Sequence, residues 1–139
     1  MNKVFHGDCI KHMDDLPEKS VDLLFADPPF NIGMVYDGYK DKMKREDYLS
    51  WAYRWLDSAV SQLKPTGSLF VASGDEYVAE MKVLCDKFGL HLRNWIIWHY
   101  TFGTACTEKF NRSHTHILYF VKNKKEFTFN ASAVAVPSA

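Results

Sequence analysis

The chain has only three cysteines, Cys9, Cys85 and Cys106, and no C-x-x-C spacing. That argues against a secreted disulfide scaffold and a zinc knuckle. No apolar run approaches the roughly 20 residues of a membrane span. The start, MNKVFHGDCIKHM, lacks the apolar core of a signal peptide. The expected home is a reducing cytoplasm, with no membrane partner. Neither sign of charge is in excess, because Lys plus Arg and Asp plus Glu both number 17. Overall charge therefore announces no nucleic-acid partner, and any basic surface has to be local. Internal repeats and low-complexity blocks are missing too. What the chain does have is a 47% apolar fraction and a high 15% aromatic fraction over 139 residues. That suits one domain with a real core.

Residues 3–7 read as a short strand and 9–16 as a short helix, with Asp8 as N-cap. After the turn Pro17-Glu18-Lys19-Ser20, residues 21–26 read as a strand buried on both faces, the habit of parallel sheets. Residues 31–44 are polar, glycine-bearing and aromatic, and read as a mobile loop. Leu49, Ala52, Tyr53, Leu56, Ala59, Val60 and Leu63 recur at helical spacing, predicting a helix over 45–63. Lys64-Pro65-Thr66-Gly67 stops it, and 68–72 read as a second buried strand. Residues 75–88 suit a helix closed by Gly89. Residues 90–100 and 114–122 read as strands paired antiparallel around a polar loop, 101–113. The alternation predicts an α/β fold with a mostly parallel sheet and an antiparallel pair near the C-terminus. Ligands in such folds bind beyond the carboxyl ends of the strands. Asp27 and Ser73-Gly74 should border that crevice.

The most informative stretch is Asp27-Pro28-Pro29-Phe30. Proline fixes its own φ and holds the preceding residue extended. The two proline nitrogens donate nothing, while their carbonyls still accept. Asp27 adds another acceptor and Phe30 an aromatic plate. The segment is a stiff, acceptor-only edge, suited to a flat group bearing an amine such as a nucleobase. The same tetrapeptide also reads as an ordinary turn after a strand, with Asp27 as a cap.

With its flanks, the chain resembles the N-terminal part of the DNA amino-methyltransferases, which methylate the exocyclic amine of adenine or cytosine with S-adenosylmethionine (AdoMet). Asp27-Pro28-Pro29-Phe30 matches the catalytic D/N/S-P-P-Y/F/W motif. Gly7-Asp8-Cys9, upstream of SVDLLFADPPF, matches the segment that touches the cofactor adenine. YLSWAYRWLDSAVSQLKPTGSLFV and LRNWIIWHY resemble the next helix, strand and later strand. The likeness spans most of residues 4–129. The catalytic motif lies near the N-terminus, as in the permuted (beta) order. The family's F-x-G-x-G segment has no counterpart, since no G-x-G occurs in the chain. The resemblance therefore implies a Rossmann-like methyltransferase fold, circularly permuted and incomplete. Residues 1–139 are then a partial catalytic domain, with loops 31–44 and 101–113 near DNA. A homodimer or a complementing chain segment would be its protein partner.

The resemblance also implies roles. In double-stranded DNA the target base is flipped out. Asp27 and the Pro28 carbonyl hold its amine, and Asp27 serves as final proton acceptor. Pro29 stiffens the edge and Phe30 stacks on the base. Asp8, Cys9 and Asp27 border the cofactor. Asp8 reads equally as a helix cap, and Cys9 as a small packing residue. Asp at the first motif position goes with adenine-N6 activity in this family, as in restriction-modification. The rivals are a cytosine-N4 enzyme, a truncated non-catalytic module that binds DNA or a partner, and an RNA or protein-glutamine methyltransferase. In the loop at 101–113, Lys109 and Arg112 suit phosphates and Phe102 or Phe110 the neighbourhood of the base; the alternative is an ordinary solvated loop. His114 and His116 share a strand face, but no third ligand is evident, so no metal is expected. Lys40, Lys42, Lys44 and Arg45, interleaved with Asp41, Glu46 and Asp47, read as a solvated face. Lys122, Lys124 and Lys125 read as an exposed turn, and Trp51 and Trp55 as packing or partly exposed surface.

Overall fold

The computed structural model describes residues 2–103 and 105–136. The elements, in chain order, are α1 (Cys9–Asp14), β1 (Val21–Ala26), β2 (Val35–Tyr36), β3 (Tyr39–Lys40), α2 (Arg45–Gln62), β4 (Leu63–Ser73), α3 (Val78–Lys87), β5 (His91–His99), β6 (His114–Val121) and α4 (Ala131–Val134). No described helix is long and apolar enough to cross a membrane.

The main sheet has the order β1-β4-β6-β5. β1 pairs with β4 parallel, and β6 lies antiparallel between β4 and β5. Three strands thus point one way and β6 the other. This agrees with the expected mixture, including the antiparallel β5/β6 pair. Residues 3–7 form no strand: no described residue offers them a ladder, and Val4 and Phe5 are exposed. The stop signal after α2 is a bulge inside β4 rather than a free turn. Val21 pairs with Leu63 and Leu23 with Ser68, so the extra residues, Pro65 among them, loop out. A bulge is one of the few places a sheet accepts proline.

α2 and α3 lie on one face of the sheet. Ala52, Leu56 and Ala59 from α2, Met81 and Cys85 from α3, and Leu69, Val71, Leu118 and Phe120 from the strands form one core in which each is fully buried. Burying each large apolar side chain there contributes roughly 1.5–3 kcal/mol. α3 begins later than its sequence suggests, because Gly74 O accepts from Tyr77 N and Val78 N in a preceding turn. It ends as expected: Gly89 sits at φ +72°, and Gly89 N and Leu90 N bond to Asp86 O and Cys85 O.

No described helix covers the other sheet face. β1 was expected to be buried on both sides, yet Leu23 is 58% and Phe25 51% exposed. Alternate residues explain this: Leu24 and Ala26 pack on the core, while Leu23 and Phe25 face a side that no described helix covers. On that side Phe70 stacks with Tyr119 at 4.5 Å, and Trp98 is 60% exposed. The accessible surface, 10070 Å2, exceeds the roughly 7,400 Å2 that size scaling gives a chain of this mass.

Candidate active site

One edge of the sheet gathers the chemistry. β1 runs out at Ala26 into Asp27, and β4 ends at Ser73 before Gly74. The register sets Ser73 opposite His116 and His99 opposite His114. Asp27 and Ser73-Gly74 therefore lie toward one end of the sheet, together with the end of β5 and the start of β6.

Within Asp27-Pro28-Pro29-Phe30 the acceptors have different fates. Pro29 O accepts from the Tyr48 hydroxyl at 2.8 Å. Among the described residues, none donates a hydrogen bond to the Asp27 carboxylate or the Pro28 carbonyl. Asp27 is exposed and Phe30 half-buried. Phe30 lies so close to Gly74 that a Cβ at Gly74 would sit 3.4 Å from Phe30 Cδ2.

Two clefts share Asp27. One, of about 410 Å3, is lined by Cys9, Met13, Leu24, Pro28, Trp51 and Trp55. The other, of about 390 Å3, is lined by Phe30, Ala72, Trp98, Tyr100, Thr115 and Ile117. Trp55 is buried in the core, as the packing reading has it, and Trp51 packs on both Trp55 and Tyr48. Asp8 caps α1: its Oδ1 accepts from Ile10 N at 3.0 Å. Desolvation, then the charge of Asp8, raises the Cys9 thiol above its ordinary value. That keeps it protonated at neutral pH and unlike a nucleophile.

The loop after Phe30 holds regular structure that its composition does not announce. It carries the β2/β3 hairpin, turning at Gly38 with φ +73°. Asp41, expected on a solvated face, is 1% exposed. Its Oδ1 accepts from Asn31 N at 2.8 Å, and its Oδ2 from Ile32 N and Met34 N, both at 3.1 Å. A buried carboxylate needs such donors, and the backbone at 31–34 supplies them. Asn31 itself sits at φ +58°, where a short polar side chain is tolerated. Its side chain bonds Met43 N, Met43 O and the Tyr77 hydroxyl.

The histidine pair does have a third partner. Asp75 Oδ1 lies 2.7 Å from His116 Nε2 and 3.4 Å from His114 Nε2, so three ligand-type residues converge. Their surroundings favour a hydrogen-bonded cluster over a cation site. Trp95 Nε1 donates to His116 Nδ1 at 2.9 Å, which puts the neutral ring's proton on Nε2, facing Asp75. A metal would need that nitrogen bare. Burial works against the charge of Asp75, but the hydrogen bonds from His116 and Arg112 outweigh it and hold its carboxyl below the usual range.

Arg112 is the other surprise. Its guanidinium donates to Asp75 Oδ2 and Glu76 Oε1, both at 3.1 Å. The residue offered to phosphate is thus occupied by two carboxylates and ties loop 101–113 to the turn after β4. Lys109 is exposed and Phe110 is 99% exposed, and neither is brought to Asp27. Thr104, in the same loop, lies outside the described residues. Lys122 is no plain surface lysine either: its Nζ donates to Val60 O and Leu63 O at 2.7 and 2.9 Å, closing the C-terminal end of α2. Tyr48, Asp41 and Asp75 escaped the sequence reading. The one local signal is Asn31 and Gly33, residue types that tolerate positive φ and adopt it here, marking a turn beyond Phe30.

Residues 21–138 match the sequence profile of a family described as DNA methylase, of the N6 and N4 type. The chain is similar to the type II methyltransferase M.HpaI of Haemophilus parainfluenzae, 35% identical over 132 residues, covering 94% of this chain and 42% of that protein. It is also similar to the DNA adenine methyltransferase YhdJ of Escherichia coli (strain K12), 31% identical over 134 residues, covering 96% and 45% respectively. The chain therefore spans less than half the length of either relative. Among solved structures, its fold is similar to PvuII DNA methyltransferase (cytosine-N4-specific), with TM-score 0.69, 16% identity and coverage of 93% and 52%. It is likewise similar to the M1.HpyAVI–SAM complex, with TM-score 0.67, 16% identity and coverage of 91% and 58%.

Proposed function

Because the chain belongs to the DNA methylase family of the N6-adenine and N4-cytosine type, we propose that it carries the amine-holding part of an AdoMet-dependent DNA adenine-N6 methyltransferase. In this reading it is part of a permuted catalytic domain whose acceptor edge precedes the cofactor's glycine loop. The carrying observation is the sorting of acceptors at the end of β1: Pro29 O is taken by Tyr48, while Asp27, which lines both clefts, and Pro28, which lines one, have no protein donors to their acceptors among the described residues.

An exocyclic amine is a poor nucleophile because its lone pair is delocalised into the ring. Hydrogen bonds from its two protons to Asp27 and Pro28 O favour a more tetrahedral nitrogen with its lone pair released. The edge is preorganised, so its alignment costs little at the moment of reaction. The Asp27 carboxylate then stabilises positive charge growing on nitrogen and takes the departing proton. Phe30, fixed over Gly74, holds the base by stacking, worth roughly 1–3 kcal/mol.

AdoMet supplies an electrophilic methyl group when bound. The residues present fit its adenine end. The Asp27 cleft toward α1 offers the indoles of Trp51 and Trp55 and the apolar sides of Met13 and Leu24. Asp8 uses one carboxylate oxygen on α1; in this reading the other receives the adenine amine, next to Cys9, which lines the cleft. No residue is assigned to the methionine end. Double-stranded DNA is the proposed partner, with loops 31–44 and 101–113 facing it and Lys109 and Phe110 as its exposed contacts. Arg112 would join them only by leaving Asp75 and Glu76.

Adenine is favoured by Asp at the first motif position. The test is methylation of defined DNA by the full-length protein, followed by nucleoside analysis. N6-methyladenine is expected. N4-methylcytosine alone would overturn the choice of base, and neither product would overturn DNA methylation itself.

A further inference from the structure

We infer that Tyr48, Asn31 and Asp41 are positioning residues, which set the Asp27-Pro28-Pro29-Phe30 edge for transfer rather than merely filling the core. The inference rests on the reading of Asp27 and Pro28 O as the acceptors that hold the amine.

Two prolines fix φ at 28 and 29. They leave ψ of Pro29 and both torsions of Phe30 to be set by something else. The Tyr48 hydroxyl, from α2, bonds Pro29 O at 2.8 Å and so fixes the peptide plane between Pro29 and Phe30. On the far side of Phe30 the chain turns through the left-handed region at Asn31, φ +58°. Asp41 then receives four successive backbone N–H groups. Asn31, Ile32 and Met34 donate to its carboxylate, and Gly33 N donates to its carbonyl at 2.8 Å. The two anchors meet through Tyr77, whose ring lies 4.4 Å from that of Tyr48 and whose hydroxyl accepts from Asn31 Nδ2. The torsions on either side of Phe30 are thus flanked by buried or half-buried anchors.

A core role alone would not need the Tyr48 hydroxyl, because phenylalanine fills the same space against Tyr77 and Trp51. Nor would it need a carboxylate at 41, where a charge is costly to bury. What the polar atoms add is orientation. Small misplacements of reacting groups carry large rate costs, up to about a hundredfold for 1 Å.

The test compares Tyr48→Phe and Asp41→Asn with wild type in the full-length protein, reading kcat, KM for AdoMet and DNA, and the thermal midpoint. Tyr48→Phe should lower kcat roughly tenfold or more with both KM values unchanged, while the midpoint falls only by the few degrees that one lost hydrogen bond costs. Asp41→Asn, which turns an NH2 toward backbone donors, should lower kcat further. If Asp41→Asn does not fold, Tyr48→Phe carries the test alone. Unchanged kcat in Tyr48→Phe overturns the inference, and so does a fall in kcat that comes with equal losses in binding and midpoint. An Asp27→Ala control separates the two claims. If that variant is active, the reading of the edge itself is wrong. If it is dead while Tyr48→Phe matches wild type, only the positioning role is lost.

Discussion

Substituting Asp27 gives the sharpest test of the acceptor edge, because the structure separates chemistry from folding there. Asp27 is exposed and, among the described residues, has no hydrogen bond or ion pair to lose. Asp27→Ala should therefore shift stability by no more than about 0.5 kcal/mol. Its effect on transfer should be far larger. A hydrogen bond to a charged acceptor is worth roughly 1.5–3 kcal/mol, or about 10- to 150-fold in rate. Losing the alignment of the amine adds up to about a hundredfold. Together these give a fall of roughly a thousandfold or more. Asp27→Asn keeps the shape and one acceptor oxygen but loses the charge, so its fall should be only about 10- to 30-fold. The assay is single-turnover transfer of a labelled methyl group by the full-length protein, with AdoMet binding followed by calorimetry. Binding should persist in both variants. Near-wild-type transfer by Asp27→Ala would refute the reasoning, as would a rate loss accompanied by loss of AdoMet binding or of the folded state.

Three further expectations follow from contacts around the site. Gly74→Ala would place a Cβ 2.9 Å from Glu76 Oε2 and in ordinary contact, at 3.4 Å, with Phe30 Cδ2; Glu76 must move off Arg112 while Phe30 keeps its place, so the thermal midpoint should fall slightly with kcat little changed, and a large fall in kcat would refute this. The depressed carboxyl of Asp75 contributes stability that is present above its unfolded value, near pH 4, and lost as pH falls through its lower folded value. Asp75→Asn should accordingly flatten the acid limb of a stability–pH curve below about pH 4, and an unchanged limb would show that the network with His116 and Arg112 contributes nothing. Lys122→Met removes two hydrogen bonds to the end of α2 and should cost about 1–2 kcal/mol in urea unfolding; no shift in midpoint would mean that water caps those carbonyls equally well.

The parts legible in the sequence were those governed by local rules. The period of Leu49, Ala52, Leu56 and Ala59 located α2 to within a residue at its end. Gly89 marked the close of α3, Asp8 the cap of α1, and the apolar run after Ser20 gave β1 its bounds. Asp27-Pro28-Pro29-Phe30 marked a candidate site because its chemistry is contained in four consecutive residues. What was not legible depends on pairs distant in sequence. Asp41 looks like one charge among many until the backbone of 31–34 folds onto it. Asp75 and His116 are 41 residues apart, and only the β4/β6 register makes them neighbours. Tyr48 reads as one more aromatic on a helix face, since nothing in its own neighbourhood names Pro29 as its partner. Burial of β1 on both sides was a habit of parallel sheets applied to a strand that has a helix layer on one side only.

The side that no described helix covers has a calorimetric consequence. The heat capacity gained on unfolding tracks apolar surface newly exposed to water, at about 12–15 cal/mol/K per residue in ordinary domains. Leu23, Phe25 and Trp98 already face water in this chain, so they add little to that gain. Residues 1–139 should consequently show a smaller heat-capacity step and a flatter stability curve than a domain of the same length with both sheet faces covered. Anything that seats itself on Leu23, Phe25, Phe70 and Trp98 should announce its arrival as a negative heat-capacity change on binding.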